Sequence, residues 1–202
     1  MFKTLVRDKD KDYISNSWLS TLKRELLGQP AFKGGEGFLN FGKELHRRFL
    51  EPQTTMDMCM DWDDQQEYKV NEMVNRLWQV PLLKEAWKRS DKEITCTKEI
   101  MGVKCLGILD MKYGKVGIDL KTTWNKTRIS FYKSAVRYDY FRQAQLYTRL
   151  ADLDSFIFVA ISKDPPHDVF ELHCNDYPME MAMGRQELEF LINLHKKYYV
   201  NA

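Results

Sequence analysis

The sequence predicts an α/β (α+β) fold, a mixed central β-sheet flanked by helices, with a mainly helical N-terminal elaboration. Three observations carry that reading. Apolar residues recur at helical spacing through residues 1–92, side chains alternate with period two across residues 93–122, and an unbroken apolar run, Phe156 to Ile161, follows a further helix. A chain of 202 residues supports one core and not two, so 1–202 is read as a single domain, with the sheet core in 93–202.

Ser15 to Leu27 places Trp18, Leu19, Leu22 and Leu26 on one helical face and meets stop signals at Gly28 and Pro30. Lys33-Gly34-Gly35-Glu36-Gly37 is too short for a domain linker and reads as a mobile loop. Phe38 to Leu50 forms a second helix closed by Pro52. Met56 to Asp64 reads as a loop; its Asp57, Asp61, Asp63 and Asp64 lack the spacing and glycine of a calcium loop, and Met56 to Met60 suits core or a subunit contact. Val70, Met73, Val74, Leu77 and Trp78 mark a third helix, and Pro81 opens a short fourth. Glu93–Lys98, Val103–Asp110 and Lys115–Thr122 read as a β meander with Tyr113-Gly114 in its second turn. A helix from Tyr138 to Leu150, the buried strand, a break at Pro165-Pro166, a strand from Val169 to Cys174 and a helix from Pro178 complete the chain.

Composition excludes several classes. With 44% apolar and 13% aromatic residues the chain is globular. No apolar run spans a bilayer and Met1-Phe2-Lys3-Thr4 lacks signal-peptide features, so a cytoplasmic protein without membrane contact is expected. Cys59, Cys96, Cys105 and Cys174 are scattered and read as reduced thiols. A net charge of +2 leaves nucleic-acid binding to the distribution of charge.

The hairpin Gly107-Ile108-Leu109-Asp110 … Val116-Gly117-Ile118-Asp119-Leu120-Lys121 carries the chemistry. Alternation turns Val116, Ile118 and Leu120 to the core and puts Gly117, Asp119 and Lys121 on the other face, with Asp110 on the neighbouring strand within reach. Two carboxylates suit a magnesium ion that keeps several waters and takes a phosphate oxygen, and a lysine beside them can orient or help deprotonate an attacking water. The competing reading is a solvated Asp/Lys pair on a surface hairpin. His46 stands four residues after Gly42, which leaves space on its face, although a lone histidine is usually structural. Gln143 and Tyr147 share a helical stripe with Tyr140, which core packing would also explain.

Together these segments resemble the RecB-like PD-(D/E)XK nucleases, and within them the exonuclease VIII (RecE-type) phage recombination exonucleases. Phe41-Gly42-Lys43-Glu44-Leu45-His46 with Leu50-Glu51-Pro52 is similar to the family's first helix. Gly107-Ile108-Leu109-Asp110 resembles its G-x-x-D strand, Ile118-Asp119-Leu120-Lys121-Thr122-Thr123 its D-L-K-T-T strand, Gln143-Ala144-Gln145-Leu146-Tyr147 its Q-x-x-x-Y helix, and Lys163 to Val169 a stretch after the next strand. The resemblance implies a restriction-endonuclease-like core. It also implies that Asp110, Asp119, the Leu120 carbonyl and His46 hold Mg2+, with Mn2+ able to substitute, and that Lys121 positions the nucleophile. Glu93 would assist, while Gln143 and Tyr147 would support the site and contact the DNA backbone.

Lys126, Arg128, Lys133, Arg137 and Arg142, interleaved with Trp124, Phe131, Tyr132, Tyr138 and Tyr140, form a candidate DNA track, against which stands an ordinary solvated face. The expected activity is an Mg2+-dependent exonuclease on linear double-stranded DNA ends in recombination or repair, in a bacterial or phage-infected cell. The alternatives are a structure-specific or restriction-like endonuclease and a non-catalytic DNA-binding recombination module. A single-strand annealing protein and a homo-oligomeric ring are the partners the resemblance implies.

Overall fold

Strand β4 (Ser155–Ser162) shows how the molecule is layered. Its alternate side chains Phe156, Phe158 and Ala160 enter one hydrophobic cluster, while Ile157, Val159 and Ile161 enter another. Both faces are therefore covered, as the unbroken apolar run predicts. The computed structural model describes residues 13–30, 36–53 and 63–200. Five strands lie in the order β1 (Asp91–Ile100), β2 (Val103–Tyr113), β3 (Val116–Thr123), β4 and β5 (Val169–His173), antiparallel except for the parallel β3–β4 pair.

Helices α1 (Asn16–Leu26), α5 (Arg128–Arg137), α6 (Tyr140–Ala151) and α7 (Pro178–His195) cover the face of Phe156 and Phe158. Helices α2 (Glu36–Leu50), α3 (Asp64–Leu77) and α4 (Pro81–Arg89) cover the other. Their starts follow local chemistry. The Ser15 hydroxyl accepts from the Trp18 N–H, the Asp63 carboxylate accepts from the Gln66 N–H at 2.8 Å, and Pro81 occupies the first turn of α4. Asp63 is thus a helix cap; Asp57, Asp61, Cys59 and Met56 to Met60 lie outside the described residues, as does most of the Gly-rich loop, whose Glu36 and Gly37 belong to α2. Cys96, Cys105 and Cys174 are free thiols.

Most boundaries shift by a residue or two, and two differences from the sequence reading are larger. A separate helix, α5, precedes α6, because Thr127 and Ser130 form a reciprocal cap and Asp139 then takes a left-handed conformation (φ 59°) that ends the run. Strand β2 continues past Asp110 to Tyr113, so Asp110 lies inside the strand and not at its end.

That extension shapes the site. β2 pairs with β3 only at Met111–Ile118, Lys112–Gly117 and Tyr113–Val116, whereas β3 pairs with β4 along its whole length. Beyond Met111 the two strands part. Alternation along β2 slips at the same place, Leu109 entering one cluster and Met111, two residues on, the other. In β1 the facing residue, Glu93, has φ +49°. Ile14 then occupies the β2 edge that β3 has left, its N–H bonded to the Lys104 carbonyl at 2.9 Å and its carbonyl accepting from the Leu106 N–H at 2.8 Å.

Candidate active site

The gap between β2 and β3 gathers the acidic residues. Asp110 and Asp119 are 8% and 4% exposed, one from each parting strand. With no β2 carbonyl opposite it, the Leu120 N–H donates to Asp110 Oδ2 at 2.6 Å. A buried carboxylate needs such donors. Alternation does put Gly117, Asp119 and Lys121 on the face opposite Ile118 and Leu120: Gly117 lies close to Leu153 and Phe156, while the two apolar residues join the α2–α4 cluster.

Helices from both layers reach the gap. From α2, His46 Nδ1 stands 3.4 Å from Asp110 Oδ2. From α6, Gln143 Nε2 donates to Asp119 Oδ1 at 2.7 Å, and Asp119 Oδ2 is ion-paired with the Lys121 ammonium. Lys121 also lies 5.5 Å from the ring centre of Tyr140 and 5.6 Å from that of Phe158. Tyr147 is packed against the sheet at Gly107, where a Cβ would stand 2.2 Å from its ring, and stacks on Phe156. That close approach is why Gly107 suits its position.

The charges are strongly coupled. Burial disfavours a charged Asp119 and, with Asp110 adding to it, pushes the carboxyl up to about 6 against the pull of Lys121. Burial acts on Asp110 in the same sense, yet His46, Lys121 and the Leu120 N–H outweigh it and hold Asp110 below the usual range. Burial likewise opposes charge on His46 and Lys121, but the two aspartates raise both above their ordinary values. Glu93 is raised by burial and by Asp110.

Among the described residues, ligand atoms of His46, Glu93 and Asp110 all lie within 4.8 Å of one another. Two carboxylates and an imidazole converging this closely fit a divalent cation, which would offset the repulsion that raises Glu93. Asp119 is not one of that triad; its Oδ1 accepts from Gln143 and its Oδ2 is ion-paired with Lys121. A cleft of about 460 Å³ opens onto the triad, lined among others by Lys43, Arg47, Glu51 and Ile108.

The expected DNA track divides. Lys126, Arg128, Lys133, Arg137 and Trp124 are exposed, Lys126 being paired with Asp164 at 3.2 Å. Arg142 is not available to a phosphate. It is 1% exposed and donates to Asn16 Oδ1, Ser20 Oγ and Glu187 Oε1 at 3.2, 2.5 and 2.7 Å, tying α6 to α1 and α7. Its helix points it into the layer, where Glu187, remote in sequence, and Asp139, three residues before it, meet it. Phe131 is core and Tyr132 donates to Glu180. Gln143 and Tyr147 are both buried, so they do not present a surface to a DNA backbone.

A family model described as a PDDEXK-like domain of unknown function (DUF3799) matches residues 38–197. Among solved structures, the fold is similar to that of a candidate exonuclease from Eubacterium rectale, with TM-score 0.58, 13% identity, and coverage of 96% of this chain and 85% of that one. An alkaline exonuclease from Laribacter hongkongensis and a phage-related exonuclease from Haemophilus somnus 129PT each match with TM-score 0.39 and 13% identity. The first match covers 95% of both chains; the second covers 87% of this chain and 94% of that one. A search of curated proteins gave no match. No helix of the described residues is long and apolar enough to cross a membrane.

Proposed function

Since the chain belongs to the DUF3799 family of PDDEXK-like domains, we propose that it is a divalent-metal-dependent deoxyribonuclease, acting as an exonuclease on the ends of linear duplex DNA. One observation supports this most: Asp110 and Asp119, buried on two parting strands, share a gap with the Lys121 ammonium and the His46 imidazole. A resting pair of buried carboxylates repels itself, and such an arrangement is costly unless positive charge enters it.

His46, Glu93 and Asp110 would hold the cation, with Asp119 and the Leu120 carbonyl joining them when Asp119 exchanges its contact with Lys121 for the ion. When bound, Mg2+ acidifies a water and offsets charge developing on the scissile phosphate. Lys121 stays protonated beside two aspartates, so its role is to donate a hydrogen bond that positions the attacking water or a phosphate oxygen. Gln143 fixes the Asp119 carboxylate through its amide, and Tyr147 backs that helix against Gly107. The exonuclease name of the Eubacterium rectale neighbour favours action at ends.

End-labelled linear duplex and covalently closed circular DNA, each incubated with and without Mg2+, test the reading. The linear substrate is degraded only with the metal and the circles survive. Equal loss of circles would make the protein an endonuclease, and no loss of either substrate with Mg2+ or Mn2+ would leave a binding module.

A further inference from the structure

Besides its ion pair with Asp119, the Lys121 amine lies over two aromatic rings, 5.5 Å from the centre of Tyr140 and 5.6 Å from that of Phe158. The sheet sets one of them. In the parallel β3–β4 register Phe158 stands opposite Asp119 and Ala160 opposite Lys121, so a methyl group next to the lysine leaves the room beside it to the neighbouring ring. Phe158 is fully buried.

The turn into α6 sets the other ring. Asp139, in its left-handed conformation, is paired with Lys23 at 2.6 Å and with Arg142 at 3.2 Å. The next residue, Tyr140, stacks on Phe158 with ring centres 4.9 Å apart and packs on Phe131 at 6.2 Å. Anchored turn and packed rings together fix where Tyr140 meets the lysine.

A ring face attracts an ammonium group without bringing net negative charge. That suits this place in two ways. A third carboxylate beside Lys121 would add to the repulsion between Asp110 and Asp119 and compete with them for a cation, whereas a ring does neither. A carboxylate would also take up N–H donors, of which an ammonium has three, while ring faces leave them to a water or a phosphate oxygen. In the proposed reaction Asp119 exchanges its contact with Lys121 for the ion. The ring contacts do not depend on Asp119 and persist through that exchange.

We propose that Tyr140, stacked on Phe158, is a positioning residue: its ring face keeps the protonated Lys121 amine in the gap when Asp119 turns away, with the amine's N–H groups left to the attacking water or the phosphate. The use of that hold in cleavage rests on the nuclease reading; the hold itself does not.

Ring chemistry at position 140 tests this. Tyr140→Leu keeps bulk but loses the ring face, so kcat falls about 10-fold with KM little changed, while Tyr140→Phe keeps most of the wild-type kcat. Mono-, di- and trifluorinated phenylalanines at the same position keep the shape of the ring and drain charge from its face. Cleavage slows in step with fluorination, which a role in packing alone would not produce. A second readout needs neither metal nor DNA. In the presence of a chelator, trifluorination lowers the melting temperature by about 2 °C more in the protein carrying Lys121 than in Lys121→Met. Equal kcat along the fluorinated series, equal loss in Tyr140→Phe and Tyr140→Leu, or the same melting shift with and without Lys121 overturns the positioning role. A wild type that cleaves no DNA with Mg2+ or Mn2+ sinks the nuclease reading instead, and the metal-free melting comparison then decides whether the rings hold the amine.

Discussion

Lys121 and Asp119 form the closest charge pair in the gap, and each explains the state of the other. Replacing Lys121 by Ala abolishes cleavage while leaving the fold intact, as read by a nuclease assay and circular dichroism. Asp119→Ala abolishes cleavage too, but it takes the partner from a half-buried ammonium and lowers stability by about 1–3 kcal/mol in urea melts. The double variant is more stable than Asp119→Ala alone; a double variant that is less stable contradicts the pairing. Glu44 on α2 gives a pH signature away from this site. It accepts from Arg47 at 2.7 and 2.9 Å and from Arg48 at 2.6 Å, and these hydrogen bonds, Arg47's first, hold its carboxyl below the usual range. A folded pKa below the unfolded one means stability present at neutral pH and lost as acid titrates the folded carboxylate. The melting-temperature gap between wild type and Glu44→Gln is therefore widest near neutrality and closes in acid. These residues differed in how far the sequence exposed them. Asp119 and Lys121 could be read from strand alternation and Asp110 from its place on the neighbouring strand, whereas His46 came to the site only through the resemblance of its helix to the nuclease family. Arg142 misled, because its partners Glu187, Asn16 and Ser20 are distant in the chain and a basic residue in a basic stretch looks solvated.

At the scale of elements, the departure of β3 from β2 makes the site. Sequence periodicity located both strands but not their parting, since alternation reveals neither that they pair at three positions only nor the positive φ of Glu93 and the Ile14 bridge that accompany the parting. The α5–α6 break was similarly hidden in a left-handed Asp139. Helix α6 carries Gln143 to Asp119 and is held from behind by α7, where a Cβ at Gly184 would meet the Phe141 backbone at 2.6 Å. Gly184→Ala thus forces the two helices apart and costs about 1–3 kcal/mol, read as a lower melting temperature together with slower cleavage. Arg142→Ala acts on the same junction. It removes the hydrogen bonds by which Arg142 joins α6 to Asn16, Ser20 and Glu187 and destabilises the fold by about 1–3 kcal/mol, whereas a simple DNA contact would lower affinity and leave the melting temperature alone.

For the whole molecule, a sheet covered on both faces lets one layer deliver His46 and the other deliver Gln143 to a single gap, so neither layer alone completes the site. The exposed Lys126, Arg128, Lys133, Arg137 and Trp124 lie in the segment that joins β3 to α6, which places the proposed DNA path beside that gap. The claim on which all of this depends is that the gap holds a divalent cation. Crystals soaked in Mn2+ and measured at the manganese absorption edge test it directly. The account predicts an anomalous peak between Asp110 and Asp119, within about 2.0–2.2 Å of carboxylate oxygens and beside His46 and Glu93. No peak there, with the three acids unchanged and manganese bound elsewhere or nowhere, would contradict it.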